Sequence, residues 1–251
     1  MGLVSPTDII LLSLLVLLAA ALYSSVGHGG ASAYLAAMAL FGLAPAVMKP
    51  TALCLNLLVA SLTTFRFYRA GYFSWRTFLP FAAASVPFAF VGGALMLPTN
   101  VYKPVVGVVL LYAAVRLFLH ARAKSDAEAG ARTPPLWLAA LLGAGLGFLS
   151  GLTGVGGGIF LSPLLLLMGW ADVRRTAGVS AAFILVNSAA GLLGNVASVK
   201  SLPAALPYLA AAALAGGLVG SELGSRRLPS PAIRRLLALV LVVAAVKLIF
   251  V

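Results

Sequence analysis

The chain is written twice. A glycine cluster, Gly27-His28-Gly29-Gly30, opens one hydrophobic stretch, and Gly154-Val155-Gly156-Gly157-Gly158 opens a matching stretch 127 residues later. The same offset relates Gly42 to Gly169, Ser61 to Ser188, Pro80 to Pro207 and Gly93 to Gly220. After a four-residue insertion near Gly224 to Arg227 the offset becomes 131, pairing Leu97-Pro98 with Leu228-Pro229 and Ala113-Ala114-Val115-Arg116 with Ala244-Ala245-Val246-Lys247. Internal duplication in a very apolar chain points to a membrane transporter whose substrate site lies between the halves.

The solvent of such a chain is lipid. Charged residues make up 9% and hydrophobic residues 62%, against about 25% charged in an average globular domain. In hydrocarbon every backbone polar group needs an internal partner, and the length and Leu/Ala/Val content of the runs favour helices over alternating barrel strands. No Lys or Arg precedes the first apolar run, and Asp8 sits there instead, which argues against a signal peptide. The single Cys54 excludes an internal disulfide and offers no metal cluster, so neither metal nor cofactor is expected.

Each half reads as five apolar segments: 8–26, 30–42, 47–66, 76–96 and 101–119, then 136–152, 158–169, 176–196, 203–222 and 230–250. Crossing takes about 20 residues. The second segment of each half has only about a dozen, roughly 18 Å of helix, too short to cross upright. The glycine turn is therefore expected at membrane depth, inside a broken or re-entrant helix pair. The expected fold is all-α and polytopic, with a first repeat over 1–120, a cytoplasmic linker over 121–135 and a second repeat over 136–251.

Basic residues set the orientation. If the first two segments of each half make an even number of crossings, every Lys and Arg except Lys49, Lys103, Lys200 and Lys247 falls on one face. A single crossing by that pair would split the basic residues evenly. The first arrangement makes the repeats inverted and places both termini outside a bacterial plasma (inner) membrane. It also puts Trp75, Trp137 and Trp170 near the cytoplasmic boundary as interfacial anchors. Most of the net charge of +12 is then topology rather than substrate recognition.

Glycine-rich turns entering short helices leave unpaired N–H groups at a positive dipole end. Two inverted copies would approach the midplane from opposite faces and form a site for a small anion without a buried cation. The expected donors are the amides of 27–30 and 154–158, with Ser25, Thr153, Asn56 and Asn187 as side-chain candidates. Ser24, Ser32, Ser150 and Ser162 are further hydroxyls nearby. The substrate-binding set is thus Ser25, Gly27, His28, Gly29, Gly30, Asn56, Thr153, Gly154, Gly156, Gly157, Gly158 and Asn187. The competing reading is that the glycines serve close helix packing only.

His28 is the one histidine at membrane depth. It is open to two readings, an anion or proton-coupling group and a neutral ring bonded to a carbonyl. Glu222, the one carboxylate inside an expected span, reads as a snorkelling partner of Arg226 and Arg227 or as a proton relay. Enzymatic readings fail: Gly151 to Gly158 lacks the Lys-Ser/Thr ending of a phosphate-binding loop, and Gly147 to Gly151 has the wrong spacing for a serine nucleophile turn. Five acidic residues are too few for the acidic rings of a cation channel.

Ser25-Val-Gly-His-Gly-Gly-Ala31 with Lys49-Pro50-Thr51-Ala52, then Gly151 to Ile159, Pro163 and Val186-Asn187-Ser188, resemble the TauE/SafE family of sulfite exporters, also called the 4-toluene sulfonate uptake permease family. The resemblance covers nearly the whole chain. It implies transport of sulfite, sulfonates or related organic anions. The resulting expectation is an alternating-access carrier exporting sulfite or an organosulfonate. The alternatives are proton-coupled uptake of a sulfonate through His28 and a non-transporting membrane assembly component. The expected partners are the anion and membrane lipid, with no nucleic acid.

Overall fold

The computed structural model describes residues 5–95, 133–196 and 202–233, together with isolated positions at 115 and between 235 and 246. The predicted segment 101–119, nearly all of the linker and most of 230–250 lie outside the described residues. Lys103, Arg116, Arg122, Lys124, Arg132, Lys200, Arg234 and Lys247 lie there too.

The described residues are helical, with no strand among them. They form α1 (Pro6–Ser24), α2 (Ala31–Leu40), α3 (Pro45–Arg69), α4 (Trp75–Ala94), α5 (Leu136–Thr153), α6 (Gly158–Leu167), α7 (Val173–Gly194) and α8 (Leu206–Glu222). Six of these are long and apolar enough to cross a membrane; α2 and α6, at ten residues each, are not. At 1.5 Å per residue each short helix spans about 15 Å, half a hydrocarbon core. Helix starts follow side-chain caps: Ser74 Oγ accepts from Thr77 N, and the Asp172 carboxylate accepts from Arg174 N and Arg175 N. α8 runs on into a π-helical turn, Leu223–Arg227. That turn coincides with the four residues by which the second sequence unit exceeds the first, so the extra residues are absorbed by a wider helical turn.

Packing ignores the sequence halves. α1 lies on α8, α3 on α8 and α2 on α3, while α4 lies on α5 and α7, and α6 on α7. Each group has its own core. One core joins Leu12 and Val16 of α1, Tyr34 and Met38 of α2, Leu55 and Val59 of α3 and Leu209 of α8. The other joins Phe81 of α4, Ala139 of α5, Leu161 and Leu165 of α6 and Phe183 of α7. Every group therefore takes three helices from one half and one from the other, and α3 against α7 is the main contact between them.

Two glycine seams make these exchanges possible. A Cβ on Gly143, Gly147 or Gly151 of α5 would run into the carbonyl oxygens of Phe81, Ser85 and Ala89 of α4. A Cβ on Gly216, Gly220 or Gly224 would meet those of Leu17, Ala21 and Ser25 on the α1 side. Without glycine the backbones could not approach so closely, and such small-residue stripes are how helices associate in lipid. Residue numbers rise together along both seams, so α5 runs parallel to α4 and α8 parallel to α1. In contrast, Gly178 of α7 abuts Tyr72 and Phe67 while Gly191 abuts Leu53, so α7 runs antiparallel to α3.

These directions gather the ends bearing Arg66, Arg69, Arg76, Arg174, Arg175, Arg226 and Arg227 on one face. Arg66 pairs with Glu222, which also lies 3.6 Å from Arg226. Arg174 donates to Tyr72 Oη (2.8 Å), Ser225 O (3.1 Å) and Leu228 O (2.8 Å), tying the start of α7 to the end of α8. Glu222 is thus an ion-pair partner of two arginines. Trp75 and Trp137 are exposed near that face as interfacial rings should be. Trp170 is not: it is buried, its ring 6.0 Å from Phe81, because the turn ending α6 folds it into the core. The expectation of three tryptophan anchors is corrected to two.

Candidate functional site

Both helix breaks are made by glycine. Gly27 and Gly30 take φ of +81° and +99°, and Gly154, Gly156 and Gly157 take +73°, +87° and +78°, a region closed to most side chains. Gly30 and Gly157 are the N-caps of α2 and α6 and have no side-chain capping bond. Neither short helix is therefore capped by its own N-cap residue.

The two bends meet. Val26 of the first and Val155 of the second belong to one buried cluster with Tyr23, Ile159 and Phe160. A Cβ on Gly29 or on Gly156 would press against the same two side chains, Asn56 of α3 and Ile184 of α7. Asn56 is fully buried and fastens the pair. Its Oδ1 accepts from Ala31 N at the start of α2 (3.1 Å), and its Nδ2 donates to Val155 O in the second bend and to Ser188 Oγ of α7 (3.3 Å each). The place where the bends touch is also the α3–α7 contact between the two helix groups.

Not every expected donor is available. Gly27 N donates to Ser24 O and His28 N to Tyr23 O, closing the end of α1; Gly154 N donates to Ser150 O and Val155 N to Thr153 Oγ1. The amides of Gly29, Gly30, Gly156 and Gly157 donate to no acceptor among the described residues. The expectation of amides throughout 27–30 and 154–158 narrows to these four and Gly158, because the first residues of each bend finish the preceding helix.

Side chains divide in the same way. Ser25 Oγ donates to Leu22 O in its own helix (2.6 Å), and Thr153 Oγ1 caps Val155 N, so both shape the bends. Asn187 is buried on α7; its Nδ2 donates to Phe183 O (2.9 Å), and its Oδ1 has no partner among the described residues. Ser150 Oγ, also buried and unpartnered, lies beside Gly157, where a Cβ would be 3.3 Å away. Asn187 Oδ1 and Ser150 Oγ are two of six buried side-chain polar atoms without a partner among the described residues, the others being on Ser13, Thr64, Thr176 and Ser225. Ser150 was legible only as a nearby hydroxyl, since nothing in a sequence separates a satisfied serine from an unsatisfied one.

His28 sits inside a closed chain of hydrogen bonds. Its Nδ1 faces Val26 O at 3.1 Å, and a carbonyl can only accept, so Nδ1 carries the proton. Its Nε2 lies 3.3 Å from Ser162 Oγ, which is 2.8 Å from Ser180 Oγ. A neutral ring with its proton on Nδ1 satisfies Val26 O and leaves Nε2 to accept from the Ser162 hydroxyl, which also bonds Ser180. The link also ties the first bend to α6 and α7. No group of three or more His, Cys, Asp or Glu residues able to hold a metal occurs among the described residues.

Comparison with known proteins bears on this geometry. The family model described as sulfite exporter TauE/SafE matches residues 12–248. The chain is 42% identical over 245 residues to the probable membrane transporter protein y4hK of Sinorhizobium fredii (strain NBRC 101917 / NGR234), covering 97% of this chain and 99% of that protein. No solved structure matches the chain significantly.

Proposed function

This chain belongs to the TauE/SafE sulfite exporter family and is a membrane transporter, and from that premise we propose an alternating-access carrier that binds a small oxyanion, sulfite or an organosulfonate, between its two glycine bends. The observation that carries the proposal is Asn56, which joins the bends at the contact between two separately packed helix groups. The free amides of Gly29, Gly30, Gly156 and Gly157, with Ser150 Oγ, replace the anion's water shell. The start of each short helix supplies a positive dipole end, and Lys49, whose side chain lies against Gly154 while its Nζ donates to Gly93 O at 3.0 Å, is a cation beside the second bend.

An inverted repeat is supported by the helix directions. Duplication pairs α1 with α5, α3 with α7 and α4 with α8. α1, α3 and α8 run one way and α4, α5 and α7 the other, so each pair is antiparallel. The basic face is then cytoplasmic and the N-terminus outside a bacterial plasma membrane. The bodies that rock are the two helix groups rather than the two sequence halves, because each half has exchanged a helix with the other. A potential negative inside favours anion exit by about 2.3 kcal/mol per charge per 100 mV, so export runs downhill without a coupling ion.

The test is flux of labelled sulfite and of a sulfonate into and out of liposomes under an imposed potential. Flux of either anion that follows the potential supports the reading; a folded, inserted protein that moves neither anion at any potential overturns it.

A further inference from the structure

A cavity of about 380 Å³ opens at the basic face between the end of α3 and the end of α8, lined by Leu62, Phe65, Arg66, Arg69, Glu222 and Arg226. Three guanidinium groups face one carboxylate there. Glu222 engages Arg66 and Arg226; Arg69 lies over the Phe65 ring, 5.6 Å from its centroid, and has no acidic partner among the described residues. The cavity therefore keeps an excess of positive charge after its own ion pairs are formed. It differs from the bends in both place and chemistry, since it lies at the helix ends and uses guanidinium groups rather than amides.

An apolar track leads into it. α3 and α8 run side by side, with Val59 and Leu62 against Gly217. On α3, Leu58 and Phe65 are exposed by 38% and 58%; on α8, Leu214 and Leu218 are exposed by 37% and 44%. Residues spaced three, four or seven apart share one helix face. Each helix thus lines the groove with apolar side chains that end at arginines. A water-soluble anion has no use for such a track; an acyl chain does.

We infer that the groove between α3 and α8 seats an anionic phospholipid, its phosphate held by Arg66, Arg69 and Arg226 and its acyl chain lying along Leu58, Phe65, Leu214 and Leu218. Arginine forks match phosphate oxygens bidentately, and basic pockets between membrane helices draw anionic headgroups by just this pairing. Glu222 holds two of the arginines in place and prevents the cluster from repelling itself apart when no lipid is bound.

The experiment uses the full chain in detergent, with retained lipid counted by native mass spectrometry and affinity measured by titration. The probes are phosphatidylglycerol, phosphatidylcholine and soluble glycerol phosphate. Phosphatidylglycerol should bind selectively and lose affinity as salt is raised. Arg69→Gln and Arg226→Gln leave the Arg66–Glu222 pair intact, and each should weaken phosphatidylglycerol about fivefold, the factor expected for one surface arginine. Equal retention of phosphatidylcholine overturns the inference, as does a double variant that binds phosphatidylglycerol within twofold of the unaltered chain. Glycerol phosphate binding as tightly as the lipid also overturns it and reassigns the cavity to free phosphate. The salt and headgroup comparisons use the unaltered chain, so they stand even if a variant misfolds, and none depends on sulfite flux.

Discussion

Asn56→Ala is the sharpest test of how the bends are held. The substitution removes three buried hydrogen bonds, to Ala31 N, Val155 O and Ser188 Oγ. Side-chain hydrogen bonds between membrane helices average about 0.6 kcal/mol and reach about 1.7 kcal/mol. Three of them give a loss of about 2 to 5 kcal/mol, with the upper end approached because Ala31 N and Val155 O are left unpaired in the interior. In a chain of this size each kcal/mol moves the unfolding midpoint by about 2 to 4 °C. Thermal unfolding in detergent should therefore fall by at least about 4 °C, with liposome flux lost. Ser188→Ala removes one bond of the three and should cost about 0.6 kcal/mol. An Asn56→Ala midpoint within about 1 °C of the unaltered protein, with flux retained, would refute the idea that this side chain fastens the bends. Asn56→Asp separates holding from binding: it keeps an acceptor for Ala31 N but sets negative charge beside Val155 O and the anion. It should abolish flux even where the fold survives.

Paired glycine substitutions test the seams and the bends. Gly147→Ala meets Ser85 O and should destabilise by about 1 to 3 kcal/mol, whereas Gly145→Ala points into open space and should be neutral or stabilise by up to about 1 kcal/mol; equal unfolding midpoints would sink the seam. Gly156→Ala combines φ of +87° with a Cβ 2.8 Å from Asn56 Nδ2 and should abolish flux. Gly169→Ala, at φ of +66° with nothing within 4 Å, should lose only about 1 to 2 kcal/mol of stability and still transport. For His28→Asn, the pH profile of flux should match that of the unaltered chain; a displaced profile would instead favour proton-coupled uptake.

Much of the fold was legible because lipid leaves few choices. Runs such as 47–66 and 176–196 had to be helices, and α3 and α7 extend or shift them by only a few residues, where Asp172 supplies a cap and Arg66 and Arg69 reach the polar boundary. The breaks fall where the sequence clusters glycine, and the left-handed φ they require is taken at Gly27, Gly30, Gly154, Gly156 and Gly157. Partner choice was not legible. Gly147 and Gly220 announce close approach to some backbone, but nothing local says that α5 takes α4 and α8 takes α1. The same gap explains the site. Asn56 and Asn187 look alike as polar residues in apolar helices, yet one is saturated and the other keeps an open Oδ1, a difference set by neighbours far away in sequence. Trp170 misled for a related reason: a tryptophan near a basic loop fits an interface or a core equally well.

The pairing of α1 with α8 bears on how the chain is made. α1 is synthesised about 190 residues before the glycines that accommodate its backbone, Gly216 and Gly220. Until α8 is made, Leu12, Val16 and Ala20 have only the α2 and α3 members of their core, such as Tyr34, Met38, Leu55 and Val59, to pack against. A chain interrupted before α8 therefore leaves uncovered the side of α1, at Leu17 and Ala21, whose carbonyls Gly216 and Gly220 approach.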